Sequence, residues 1–307
     1  MERSNGTLMV EFILLGFSDI PNFQRLLFGI FLIIYMSILL GNGLLIVITK
    51  TNPTLQTPMY FFLGNFSFLE ICYTSVILPR MLMDLWTQKG NIPFLSCAVQ
   101  TCFFFILGVA ECLLLAVMAY DRYVAICKPL YYPLIMNHKV CVQLVVASWI
   151  TGIPVLVGLT YEIFSLNFCA SNKLNHIFCD APPLLEVACG NTYGKELSIH
   201  VAALLFITIP FLLILTSYVK IITTILKLPS TSGKAKAFST CSSHLMVVGL
   251  FYGSGSIVYL RPKSNQSAKS DKVFSLVYTT VTPVFNPLIY SLRNKDVIDA
   301  LKKLLPK

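Results

Sequence analysis

Two carboxylates, Glu70 and Glu111, stand inside long runs of apolar residues. An acid in such surroundings is costly to ionise. Two of them close together must share a proton or hold a cation between them. The chemistry on offer is therefore a sodium-type cation site, or a protonated and hydrogen-bonded pair that only ties helices together. A second constellation, Asp121-Arg122-Tyr123, closes an apolar run with an arginine beside a carboxylate that can hold it until something competes. A third is Asn286-Pro287-Leu288-Ile289-Tyr290. There the proline frees a backbone carbonyl and kinks a helix, and Asn286 can satisfy polar groups beside it. The chain has no HExxH, no phosphate loop and no paired intramembrane aspartates, so it reads as a non-enzyme.

The cysteines form a fourth group. Cys169, Cys179 and Cys189 share one loop, and Cys97 stands at the outer end of an apolar run. Four cysteines on an oxidising face allow three pairings, or none if the loop thiols stay free. A long loop left untied would be disordered, and a bond to Cys97 would hold it over the mouth of a helix bundle. Cys72, Cys102, Cys112, Cys127, Cys141 and Cys241 lie in or near apolar segments, where a thiol behaves as a small hydrophobe.

The elements that must carry these groups follow from composition. Of 307 residues, 56% are hydrophobic and 12% charged, and the mean hydropathy is +0.74. A soluble domain carries about 25% charged residues, which excludes a globular cytosolic, nuclear or secreted enzyme. A spanning helix needs about 20 mainly apolar residues. Seven runs qualify, at about 26–49, 58–86, 94–122, 140–160, 197–226, 237–260 and 273–292. They leave a leader at 1–25 and a tail at 293–307. The leader lacks the pattern of a removable signal peptide, so the first span is expected to act as its own insertion signal.

Charge orients the bundle. With the amino terminus outside, 13 basic and 3 acidic residues fall on the inner face, against 10 basic and 9 acidic outside. The basic excess of +9 thus belongs to lipid and an inner partner rather than to nucleic acid. Two glycosylation sequons, at Asn5 and Asn265, fall on the outer side. Val297, Ile298, Leu301, Leu304 and Leu305 share one side of an amphipathic tail suited to the membrane interface.

Longer motifs now add a resemblance. Gly41-Asn42, Pro58 through Leu63, Met118 through Cys127, Ser217-Tyr218, Lys236 through His244, and Pro283 through Asn294 resemble the hallmarks of odorant receptors. These are class A G protein-coupled receptors. The resemblance covers nearly the whole chain. It implies an all-α seven-transmembrane bundle with a short amphipathic C-terminal helix, in the plasma membrane with its amino terminus extracellular. It further implies disulfides Cys97–Cys179 and Cys169–Cys189 and coupling to a stimulatory heterotrimeric G protein through cyclic AMP, while the sequon alone points to glycosylation at Asn5. Asp121, Arg122 and Tyr123 would form the activation latch, with Tyr218, His244, Asn286, Pro287 and Tyr290 rearranging around it. No cofactor is implied beyond a sodium ion at Glu70 and Glu111. Glu70 stands where the family usually has aspartate and Gly64 where it usually has serine.

A pocket between spans three, five and six is then expected in the outer half of the bundle. Helical spacing inward from the motifs points to Phe104, Phe105, Gly108 and Val109, to Ala202, Ala203 and Phe206, and to Tyr252, Ser256 and Tyr259, with Thr279 from span seven. Such a wall suits small, volatile, weakly polar ligands held by burial. A rival reading is an ion-coupled transporter or channel using Glu70 and Glu111. The odd number of spans and the lack of an internal repeat weigh against it. A retinal protein would need a lysine in span seven, and 273–292 has none.

Overall fold

The computed structural model describes residues 10–169, 171–227, 231–260, 268–292 and 295–304, so Asn5 and Asn265 lie outside the described residues. Seven helices are long and apolar enough to cross a membrane. They are α1 (Pro21–Thr51), α2 (Pro58–Thr87), α3 (Phe94–Cys127), α4 (His138–Phe164), α5 (Tyr193–Leu226), α6 (Cys241–Tyr259) and α7 (Ser270–Tyr290). The chain therefore forms a seven-helix transmembrane bundle. A further helix, α8 (Lys295–Leu304), buries Val297 and Ala300 while Asp299 and Lys302 face outward.

The helix starts follow local chemistry. Pro58 opens α2 in the first turn, where its missing N–H costs nothing. Asn137 caps α4 by accepting from Val140 N. α3 is the central rod, and 61% of its most apolar stretch is buried against the other helices. α1 stays mostly lipid-facing but approaches α7 closely at Gly41. A Cβ there would lie 3.1 Å from the Pro287 ring. Lys272 falls within α7 because that helix begins three residues before the apolar run. Its Nζ donates to Gly16 O at 2.9 Å and sits 3.9 Å from Asp19, tying the amino-terminal segment to the bundle's outer end.

α5 and α7 each contain one wide turn with i→i+5 bonding, at Leu204–Thr208 and Val277–Val281. Each wide turn ends just before a proline, Pro210 and Pro283. A proline cannot donate to the carbonyl four residues back, and an added residue in the turn absorbs that loss.

The described part of the leader, from residue 10 onward, is not a loose arm. β1 (Glu11–Leu14) is the middle strand of a three-stranded sheet with β2 (Asn91–Pro93) and β3 (Lys173–Leu174). β1 runs antiparallel to β2, with Phe12 opposite Ile92, and parallel to β3, with Ile13 opposite Lys173. Alternation turns Phe12 and Leu14 inward. Phe12 packs against Phe94 and Phe168 at ring distances of 5.8 and 5.2 Å. Gly90 is required at this crossing: a Cβ there would come within 1.9 Å of Leu14 O. The structure joins Cys97 to Cys179 and Cys169 to Cys189, with Cα separations of 5.5 and 5.8 Å. Sheet and bonds together hold the long loop over the bundle.

Candidate ligand cavity

Beneath that loop, side chains from six helices enclose a cavity of about 90 Å³. α3 supplies Phe104, Phe105, Gly108, Val109 and Cys112, and α5 supplies Ile199, Ala202, Ala203, Phe206 and Ile207. Phe251, Tyr252, Gly255 and Tyr259 come from α6, Leu156 and Leu159 from α4, Tyr73 from α2, and Tyr278 from α7. Among the described residues no charged side chain lines the wall. Tyr73 and Phe104 stack at 5.6 Å, and Phe104 meets Tyr278 and the loop's Phe178 at 6.1 and 4.8 Å.

Nine of the eleven residues pointed to by helical spacing line this cavity; Ser256 and Thr279 do not. In α6 the arc facing inward runs through Gly255, one position from Ser256. In α7 the wide turn Val277–Val281 shifts the register by a residue. Counting back from Asn286 in α-helical steps therefore lands on Thr279, while the structure presents Tyr278. Thr279 Oγ1 instead folds back to Ser275 O at 2.6 Å. Spacing from the motifs of spans three, five, six and seven points to none of Tyr73, Leu156 and Leu159; on α2 the available signal is Glu70, one helical turn before Tyr73, and α4 carries no motif to count from.

A polar cluster roofs the cavity. Tyr259 Oη donates to both oxygens of Asp180, at 2.7 and 2.8 Å, and Asp180 also accepts from Ala181 N. His176 stands beside it, with Nδ1 against Phe178 O and Nε2 against Ser275 Oγ, each at 3.1 Å. Ser275 Oγ continues to Tyr278 Oη at 3.0 Å. Burial pushes the Asp180 carboxyl up from 3.8 to about 6. Burial, assisted by the Lys272 charge, holds His176 down at about 4. A His and an Asp flanking Cys179 were the only sequence signal for this cluster.

The mid-bundle carboxyls are neighbours, as their placement in two apolar runs allowed. Glu70 and Glu111 are both fully buried and interact with one another. Asn286 Nδ2 donates to Glu70 Oε1. The two carboxyls also pair with one another, and apart from that contact the remaining three carboxyl oxygens meet no donor among the described residues. At the inner end, Tyr218 Oη pairs with His244 Nδ1 at 2.9 Å, the two rings stacked. Tyr290 is buried near Phe66, with no partner for its hydroxyl. The Asp121 carboxylate accepts from Tyr132 Oη at 2.9 Å. The described ion pairs are Arg80–Asp84, Lys195–Glu162 and Lys272–Asp19, so none joins Asp121 to Arg122. A tyrosine reached from the following loop has taken the acceptor that sequence proximity offered to the arginine. The ammonium groups of Lys128 and Lys220 lie 5.9 and 5.6 Å from the centre of the Tyr123 ring.

An apolar cavity in a seven-helix bundle is an architecture many receptors share; sequence comparison narrows it. The family model described as "Olfactory receptor" matches residues 31–307. The chain belongs to the olfactory receptor family. Human olfactory receptor 10AG1 is 63% identical to it, over 97% of this chain and 99% of that one. Human olfactory receptor 10A5 is 54% identical over 100% of this chain and 97% of its own length. Human olfactory receptor 10A7 is 51% identical, over 98% and 95%. This is a family of receptors rather than enzymes, and the chain is a multi-pass membrane protein.

Proposed function

We propose that the chain is an odorant receptor whose ligands bind in the apolar cavity among α3, α5 and α6. Ligand binding shifts a two-state bundle towards a form that engages a stimulatory heterotrimeric G protein and raises cyclic AMP. The observation that carries this reading is the cavity itself, lined among the described residues by apolar and aromatic side chains and lying beneath a disulfide-held loop. A dry apolar cavity of about 150 Å³ holds a benzene-sized molecule. At about 90 Å³, this one suits compact, weakly polar volatiles, and a ring-sized ligand displaces side chains on binding. Burial supplies the affinity, at about 25 cal/mol per Å² of apolar surface.

The same reading puts the amino terminus outside, in the plasma membrane, with Asn5 glycosylated, and the basic inner face against lipid and the G protein. Arg122 is the residue that turns to the G protein on activation. Tyr218, His244, Asn286, Pro287 and Tyr290 form the rearranging layer, and Asp121 and Tyr123 frame the arginine. The paired carboxyls of Glu70 and Glu111 must hold either a shared proton or a hard cation such as sodium between them. Among the described residues no third acidic, His or Cys ligand joins them, so neutral oxygens would complete the shell. Sodium held there would favour the resting state.

The test is an odorant panel on transfected cells with a cyclic AMP readout. We expect a ligand-evoked signal that Arg122→Ala removes at equal surface expression. A signal that survives Arg122→Ala refutes the switching mechanism. In parallel, basal signalling should lose its sodium sensitivity in Glu70→Gln and Glu111→Gln. Sodium sensitivity unchanged in both variants refutes the cation site.

A further inference from the structure

The cavity wall carries four phenols, and three of them are engaged. Tyr252 Oη donates to Cys112 O at 2.9 Å. Tyr259 Oη is bound to Asp180, and Tyr278 Oη to Ser275 Oγ. Asp180 does not line the cavity, yet it draws the Tyr259 hydroxyl up into the roof, so the ligand meets that ring and not its donor. Tyr73 differs. Its ring is fixed by stacking on Phe104, and it lies beside Gly108, whose missing side chain leaves the ring edge open. Among the described residues Tyr73 Oη has no hydrogen-bond partner, and it is not one of the hydroxyls sealed off from all space.

We propose that Tyr73 is the specificity-determining donor of this receptor. The ligand class is then a compact apolar molecule with a single hydrogen-bond acceptor, of the ketone, aldehyde or ester kind, its oxygen against Tyr73 Oη at the α2 side of the cavity. This rests on the cavity being the ligand site. An unpaired hydroxyl facing a dry wall is costly, so an acceptor gains there what a hydrocarbon of equal shape cannot. Ligands with two separated acceptors gain nothing from the second, because the other phenols are already engaged.

The experiment uses the purified full-length receptor and matched probes. Cyclohexanone, cycloheptanone and acetophenone are compared with methylenecyclohexane, methylenecycloheptane and α-methylstyrene, where a methylene group replaces the carbonyl oxygen. Ligand-induced thermal stabilisation reports affinity. We expect each stabilising ketone to act at about tenfold lower concentration than its hydrocarbon partner. Tyr73→Phe should erase that gap while leaving the hydrocarbon's midpoint unchanged. Ketone and hydrocarbon acting alike on the wild type, or a gap that survives Tyr73→Phe, overturns the proposal. No stabilisation by any probe refutes the cavity reading beneath it. Should Tyr73→Phe fail to fold, the carbonyl stretch of carbon-13-labelled acetophenone on the wild type decides. A hydrogen-bonded shift to lower frequency than in hexane supports the donor, and an unshifted band overturns it.

Discussion

The roof over the cavity contains two buried ionisable groups whose effects on stability oppose one another, and the opposition can be measured. Asp180 has its folded pKa raised, from 3.8 to about 6. The stability it contributes is present below 3.8 and is lost as pH rises through about 6. His176 has its folded pKa lowered, from 6.5 to about 4. Its contribution is present above 6.5 and is lost as pH falls towards 4. Taking the receptor from pH 7.5 to 5.0 should therefore gain about 1.4 kcal/mol through Asp180 and cost about 2 kcal/mol through His176. In the wild type the two nearly cancel.

Single variants should uncover them with opposite signs. Asp180→Asn keeps an acceptor for Tyr259 and removes the acid, leaving His176 to destabilise the receptor as pH falls. His176→Gln leaves Asp180 alone, so stability should rise over the same interval. The two variants should diverge by about 3 kcal/mol between pH 7.5 and 5.0, which is several degrees in melting temperature. A thiol-reactive fluorophore suits the assay, because Cys112, Cys141 and Cys241 are buried and react on unfolding. Asp271 acts on Asp180 and Lys272 on His176, and both remain in every variant. Parallel pH profiles in wild type, Asp180→Asn and His176→Gln would refute the reasoning.

Other consequences are as direct. Gly90→Ala places a methyl on Leu14 O, so β1 should detach and the amides of Phe12 to Leu14 should lose hydrogen-exchange protection. The Cys97–Cys179 bond spans 82 residues and Cys169–Cys189 spans 20. By loop-closure entropy Cys97→Ser should cost about 1 kcal/mol more than Cys169→Ser, read as a lower melting temperature. Gly41→Val crowds the Pro287 ring and should lower stability by about 1–3 kcal/mol, seen as reduced surface expression.

Much of the bundle was legible because its signals are long. Apolar runs of 20 residues mark helices whatever they pack against, and the segments around Asp121, His244 and Asn286 identify the family by themselves. The cavity was legible on α3, where spacing stays α-helical from Arg122 outward, and on α5, where the wide turn still leaves Phe206 inward. It failed on α7, where the wide turn before Pro283 exchanges Thr279 for Tyr278. β1 was hidden for another reason. Four residues cannot announce a strand whose partners are a turn at Asn91 and a loop at Lys173. Tyr73 and Asp180 carry no motif, and their importance appears only once three helices and a loop converge.

The roof of the cavity and the mid-bundle layer around Glu70 satisfy their polar groups differently. Above the cavity every polar side chain of the roof is paired: Asp180 with Tyr259, His176 with Phe178 O and Ser275, and Ser275 with Tyr278. Moving any of them breaks a bond made in a dry site, so the roof resists displacement and keeps the cavity's shape. Below it the pattern reverses. Glu70 and Glu111 satisfy one another only by sharing a proton or a cation, and Asn286 Oδ1 and Tyr290 Oη are buried with no partner among the described residues. A buried polar atom without a partner carries a penalty of about 1–3 kcal/mol, which a different arrangement of α6 and α7 can relieve. On the proposed function, a ligand bound against Tyr252 would act on this layer through α3 and α6, and a bias of a few kcal/mol would suffice to shift the population between two bundle states.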